Sequence, residues 1–307
     1  MDILQDHLAR TRASGGVFAR SVVRPPWGLR LPGTIQLSMH TVVQGRAWLW
    51  TTDPTAAVEL APGDLCLVLG GTQHHIAHRP DPLLCQPHEQ FLAQNSGSPN
   101  GDDHTSTVFL CGAYAFEGDV GRGLIEALPP VLLLHPAAHD SLTSVITLLS
   151  RELTTQAPGQ QTVLDRLLDV LLVMAMRAAY EQSPHAPRWY KAAADSRLSR
   201  SLHAIHSDAA HLWTIPELAA LSGMSRASFA RNFERALGQA PMQYLTDWRM
   251  MLARDFLRAD ELNLDQVARR TGYTSSNAFS AAFRRHHGVP PGQWRQEEHD
   301  RTPHNAS

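Results

Sequence analysis

The stretch Ile215-Pro216-Glu217-Leu218-Ala219-Ala220-Leu221-Ser222-Gly223-Met224-Ser225-Arg226-Ala227-Ser228-Phe229-Ala230-Arg231-Asn232-Phe233 decides the fold of the last third of the chain, because it recurs. The second copy begins Leu264-Asp265-Gln266-Val267-Ala268-Arg269-Arg270-Thr271-Gly272-Tyr273-Thr274-Ser275-Ser276-Asn277-Ala278-Phe279. Phe229, Phe233, Gly238, Pro241 and Tyr244 have counterparts in Phe279, Phe283, Gly288, Pro291 and Trp294, and the steps between them are four, five, three and three residues in both copies. Each copy has the requirements of a helix-turn-helix. Leu218-Ala219 and Val267-Ala268 sit on a short first helix, where alanine lets the next helix approach closely. Gly223 and Gly272 stand where the chain must reverse, a position that favours positive φ. Ser225 and Ser275 (or Thr274) offer hydroxyls as N-caps for a second helix. Phenylalanines four apart bury one stripe of that helix and leave the opposite stripe free for a DNA major groove. An amphipathic helix, about Met242 to Leu257, joins the copies.

The free stripe of the first copy holds Arg226, Ala227, Ala230, Arg231 and Glu234. Arg231 is placed for bidentate contact to guanine, a contact worth about 1–3 kcal/mol of discrimination. The second stripe holds Ser275, Ser276, Asn277, Ser280, Ala281 and Arg284, with Asn277 suited to adenine. Between 201 and 298 eleven arginines oppose ten acids, so binding must rest on a one-sided arrangement of charge and on helix N-termini aimed at phosphates.

On these residues, Ser201 to Gln296 resembles the AraC/XylS family of bacterial transcription regulators. The ending Gly272-Tyr273, Phe279, Phe283, Gly288-Val289-Pro290-Pro291 is close to that family's signature. The resemblance implies that both second helices enter successive major grooves about 34 Å apart on one DNA face.

The first 135 residues read as β-rich. Pro32-Gly33, Pro62-Gly63 and Gly70-Gly71 punctuate short apolar runs. Thr34 to Val43 alternates with period two, and Trp48-Trp50, Leu65-Leu69 and Thr107-Cys111 are further strands by the same reading. Arg79 to Ser106, rich in Pro, Gly, Asn and Asp, predicts a long mobile loop. Leu142, Val145, Ile146, Leu149 and Leu153, then Val163 to Met174 after Pro158-Gly159, predict a helical hairpin over 136–182 whose second helix is apolar on more than one face. Such a helix must be covered, either by its own domain, as one more core helix, or by a second subunit, which makes the hairpin a candidate homodimer interface. Residues 183–195 read as a linker, 196–298 as the tandem helix-turn-helix domain and 299–307 as a disordered tail. The whole is an α+β multidomain chain: a cupin-like β-barrel with a helical hairpin, then an all-α reader.

Pro62-Gly63-Asp64 through Gly70-Gly71-Thr72-Gln73-His74 resembles a cupin motif, and His40 before Gly45 resembles the earlier strand of that fold. His74 and His78, four apart, share a face in an unbroken strand, and His40 shares its face with Gln36 and Ser38. His40, His74 and His78 together are a candidate transition-metal or effector site, with imidazole ligands at about 2.0–2.1 Å. The absence of a cupin carboxylate at its usual spacing counts against an enzyme site; hydrogen-bonded pocket histidines around an organic ligand are the other reading. His75 falls on the opposite face.

The layout resembles the reactive-chlorine-responsive regulators, in which Cys111-Gly112 looks like one of the cysteine positions. Cys85, near His88, and Cys111 are a candidate redox pair, whereas Cys66 reads as a buried hydrophobe. Three cysteines are too few and too odd for a disulfide framework.

The 307 residues carry a formal charge of -2, are 43% hydrophobic and 18% charged, which excludes a polybasic or disordered acidic chain. No long apolar run predicts a membrane span, and the acidic start lacks a signal core, so a cytoplasmic protein is expected. Lys191 is the one lysine, so arginine richness alone does not point to nucleic acid. The expected partners are promoter DNA, a small-molecule or oxidant effector, a second copy of the chain, and RNA polymerase if it activates. The alternative is a metallo-cupin enzyme, an isomerase or dioxygenase, with a helical accessory domain.

Overall fold

A computed structural model describes residues 3, 4, 7, 13–95, 105–116, 118–135, 140–155, 157–183 and 186–301. The chain divides into two compact units. One comprises 13–116 and 125–186; the other comprises 187–307 with 1–12 and 117–124.

The first unit is built on two five-stranded sheets. The strands are β1 (Ala13–Val23), β2 (Gly28–Leu31), β3 (Leu37–Gln44), β4 (Ala47–Trp50), β5 (Val58–Leu60), β6 (Leu65–Leu69), β7 (His74–Ala77), β8 (Gln86–Pro87), β9 (Thr107–Phe116) and β10 (Val131–Leu134). One sheet runs β1-β9-β3-β6-β10 and the other β5-β4-β7-β2-β8. Their facing sides meet in a core of Leu29, Leu49 and Ile76 from the second sheet and Val42, Val68 and Phe109 from the first.

The alternation at 34–43 predicts one packed face, but β3 is buried on both. Ser38, His40 and Val42 face inward; Leu37 and Met39, on the other side, are fully buried. The cover is the predicted hairpin, α3 (Asp140–Glu152) and α4 (Gln160–Gln182), which packs on β1, β3 and β10. The Tyr114 hydroxyl on β9 donates to the Leu168 carbonyl at 2.9 Å and ties α4 to the sheet.

The 79–106 stretch is not the long loop that its composition predicts. It contains β8 and a helix, α1 (His88–Asn95), because Phe91 is 3% exposed and packs against Trp27 and Phe109. Residues 96–104 lie outside the described residues.

The second unit is helical: α5 (Arg188–Ala193), α6 (Leu198–Ser207), α7 (Ile215–Leu221), α8 (Arg226–Leu237), α9 (Pro241–Arg258), α10 (Leu264–Arg270), α11 (Ser276–His287) and α12 (Pro291–Arg301). The expected linker therefore holds a helix, α5, whose Ala192 and Trp189 pack into the first repeat's core. Helix α12 continues to Arg301, into the expected tail; residues 302–307 lie outside the described residues. Helix α2 (Gly118–Ile125), on the sequence between β9 and β10, also joins this unit.

Candidate nucleic-acid interface and buried histidine cluster

The two copies fold alike, down to their caps. Thr214 and Asn263 close capping boxes with Glu217 and Gln266 at the starts of α7 and α10. Both boxes are legible in the sequence as a capping residue followed three positions later by Glu or Gln, and each satisfies two otherwise unpaired backbone donors. The turns pass through Gly223 at φ 63° and Gly272 at φ 76°. At Gly272 a Cβ would also meet the Ala210 carbonyl at 2.8 Å, so glycine is required there for space as well as for conformation. The Ser225 and Ser275 hydroxyl oxygens accept from Ser228 N at 3.3 Å and Ala278 N at 3.2 Å, as predicted for the N-caps of α8 and α11.

Helix α9 shares its faces between the two cores. Leu245, Trp248 and Leu252 belong to the first. Met250, Ala253 and Leu257 belong to the second. Phe233 meets Tyr244 edge-on at 5.6 Å, and Phe283 meets Trp294 edge-on at 6.1 Å, so the repeat seen in sequence is a repeat in packing.

The opposite stripes lie open. Arg226, Ala227 and Arg231 are exposed and Ala230 is half-buried; Ser275, Asn277 and Arg284 are exposed, with Ser276 and Ser280 half-buried. Among the described residues no ion pair or side-chain hydrogen bond engages Arg226, Arg231 or Arg284, which leaves their guanidinium groups to an outside acceptor. The Ser275 oxygen already accepts one bond in its cap, which leaves its O–H to donate and one lone pair to accept.

In the first unit the structure joins two of the three candidate histidines, and adds a cysteine. His40 on β3 stands in register with Cys66 on β6 and Cys111 on β9. Its Nε2 lies 2.8 Å from His74 Nε2, and its Nδ1 lies 3.0 Å from Cys111 Sγ. His74 Nδ1 lies 3.2 Å from the Thr72 carbonyl. A carbonyl only accepts, so His74 carries its proton on Nδ1 and accepts on Nε2. His40 then donates from Nε2 and accepts on Nδ1, and the Cys111 thiol supplies that proton. Every polar atom of this chain is satisfied with no net charge.

The electrostatics agree with a neutral chain. His40 and His74 are 0% and 1% exposed. Burial, then His74, holds the His40 pKa well below its usual value, and burial lowers that of His74 to about 4. Burial likewise pushes the Cys111 thiol upward.

His78 does not join them. Strand β7 ends at Ala77, and the His78 Nδ1 lies 2.9 Å from the Trp27 carbonyl. The three histidines therefore form no single donor set. The lone pair of His74 Nε2 is already taken by His40, and among the described residues no group of three or more His, Cys, Asp or Glu side chains is placed to hold a metal ion. His75 stacks on Trp50 at 5.1 Å and takes no part in the His40–His74 contact.

Nor does the structure pair Cys85 with Cys111. The Cys85 Sγ packs against Gly28 of β2, in the other sheet, with its pKa raised by burial to about 11. Burial raises Cys66 to about 12, as a small core residue.

Comparison with known proteins agrees with both halves. Residues 2–181 match the Cupin family and residues 218–297 match the Helix-turn-helix domain family. The chain belongs to the cupin-bearing AraC-type transcription regulators. The regulator is 28% identical over 300 residues to a putative AraC-like transcription regulator of Streptomyces lividans, covering 96% of this chain and 98% of that one. It is 26% identical over 305 residues to the RCS-specific HTH-type transcriptional activator RclR of Escherichia coli K12, again covering 96% and 98%. The DNA-binding domain of AdpA, crystallised with a target DNA, is 31% identical over 36% of this regulator and 98% of that chain, with a TM-score of 0.34. End-to-end matches to transcription regulators set aside the enzyme reading, and a DNA-binding domain of this type binds double-stranded DNA. Among the described residues no helix is long and apolar enough to cross a membrane.

Proposed function

We propose that the regulator binds promoter DNA through α8 and α11 as a cytoplasmic homodimer, and that an effector entering the cupin interior sets its activity. The observation that carries the reading is the duplicated reader with unengaged arginines on its open stripe, Arg226 and Arg231 in the first copy and Arg284 in the second. The first copy contributes more base discrimination, because a guanidinium can grip guanine bidentately while the second stripe offers mostly small groups. The test is binding-site selection with the full chain. Arg231→Ala is expected to erase preference at one or two positions, about 10–100-fold in discrimination. An unchanged motif sinks the assignment.

The dimer reading is supported by Val163 and Val170, 44% and 46% exposed and seven residues apart on α4, with Leu148 of α3 49% exposed. Replacing both valines with glutamate is expected to yield monomers by light scattering and to weaken binding to a paired site. A dimer that survives the change refutes this face.

For the effector, the Cys111–His40–His74 chain is the chemical handle. A small molecule that takes one of its hydrogen bonds, or an oxidant that consumes the thiol, changes the protonation pattern of the whole chain. When the regulator activates, RNA polymerase is the further partner.

A further inference from the structure

Helix α2 lies, in sequence, inside the cupin half, two residues after β9 ends, yet it packs with the reader. Its hold on α9 is made at several points. The Asp255 carboxylate accepts from Asp119 N at 2.6 Å and Val120 N at 3.3 Å, capping α2 from another helix. The Asp119 carboxylate pairs with Arg254 at 2.6 Å and Arg258 at 3.2 Å. Arg258 also pairs with Asp255 and with Glu298 of α12, each at 3.0 Å. Val120, 1% exposed, inserts into the core of the first repeat. Arg254 and Arg258 lie 5.2 and 5.4 Å from the ring centre of Trp294, in the core of the second. So α2 enters the core of the first repeat directly through Val120 and reaches that of the second through the two α9 arginines that Asp119 holds beside Trp294.

We infer that α2 is a latch on α9: it holds the two reading helices at the spacing DNA requires, and it carries the state of the cupin half to the reader. The stripes of α9 hold the two cores at 245/248/252 and 250/253/257, so a shift or roll of α9 displaces α8 and α11 relative to each other. Two readers on one duplex face must keep their helical-turn spacing, and any slack is lost affinity. Strand β9, which carries Cys111, is followed in sequence by α2, so a change at the Cys111–His40–His74 chain has a covalent route to the latch. This last step rests on the cupin interior being the sensor; the spacing role does not.

Asp119→Asn separates the latch from plain charge. The substitution removes a negative charge, so electrostatics alone predicts tighter DNA binding. The latch predicts weaker binding, with Kd for the selected site raised at least fivefold in the full chain. Arg254→Gln is expected to weaken binding too, and the double variant to fall short of the product of the two single effects, because the two changes share the Asp119–Arg254 ion pair. Gly118→Ala is a second route. Gly118 sits at φ 80°, and a Cβ there would lie 2.6 Å from the Asp255 carboxylate, so the cap is lost without touching a charge. Arg122→Ala, which removes a half-exposed partner of Asp119 within α2 itself, is expected to stay within twofold. Hydrogen exchange in the full chain reads the same latch without DNA: Asp119→Asn is expected to speed exchange in both α8 and α11. Exchange faster in α2 alone, a Kd unchanged or lowered in both Asp119→Asn and Gly118→Ala, or multiplying effects of Asp119→Asn and Arg254→Gln overturns the latch. Failure of the DNA-reading assignment shows instead as a selection that returns no motif.

Discussion

Phe233→Ala is expected to cost the reader about 3–5 kcal/mol, enough to abolish DNA binding near physiological temperature. Phe233 is fully buried and meets Phe229 at 5.4 Å and Tyr244 at 5.6 Å, so alanine leaves a cavity bounded by rings that cannot collapse into it. The lost contacts are the ones that fix α8 against α9, so orientation fails together with stability. Phe283→Ala is expected to do the same to the second copy, where Phe283 meets Phe279 at 5.7 Å and Trp294 at 6.1 Å. Leucine at either position fills most of the volume and is expected to cost about 1–2 kcal/mol. Urea unfolding of the full chain, followed by tryptophan fluorescence, measures both series. Phe233→Ala costing no more than Phe233→Leu would show that these rings fill space without organising the repeat.

This half was legible because its physics is local. A cap, a glycine at positive φ and phenylalanines four apart each act within one turn of helix, and duplication makes the pattern recognisable. The cupin strands were legible where turn glycines bound them, as at Leu65–Leu69. What escaped depends on distant partners. Helix α2 has glycines at 118, 121 and 123 and poor intrinsic propensity. It forms because Asp255, far along the chain, caps it and because Val120 and Leu124 are buried. Helix α5 was hidden by flanking prolines and alanines, yet Trp189 and Ala192 give it a core to join. The histidine set failed at one residue: the same-face argument needed β7 to run through His78, and β7 stops at Ala77. Cys111 and His40 sit 71 residues apart, and only the β3–β9 register sets them side by side.

Acid is expected to destabilise the cupin unit steeply, and the histidine chain is the reason. The folded-state pKa of His74 is about 4 against an unfolded value near 6.5. A depressed folded pKa means that the unfolded chain binds the proton first. The stabilisation is therefore fully present above about pH 6.5 and drains away as pH falls toward 4. At about 1.4 kcal/mol per pH unit, His74 alone accounts for roughly 3 kcal/mol over that window, and His40, shifted the same way, adds to it. The buried thiols beside them do not offset this: burial raises the pKa of both Cys66 and Cys111, so they stay protonated throughout. Surface carboxylates and histidines contribute to any acid curve, so the measurement is a difference. His74→Gln retains an acceptor for the His40 Nε2–H but cannot titrate. Its unfolding free energy is expected to fall less than that of the parent between pH 7 and 4, by roughly the His74 contribution of about 3 kcal/mol. Parallel curves would mean that His74 takes up its proton in the folded state and that the interior is not neutral. On the proposed reading that an effector enters the cupin interior, a neutral interior restricts the chemistry of that effector. A charged effector would enter at the desolvation cost that keeps both histidines unprotonated, whereas an uncharged effector that trades hydrogen bonds with His40 or reacts at the Cys111 thiol meets no such barrier.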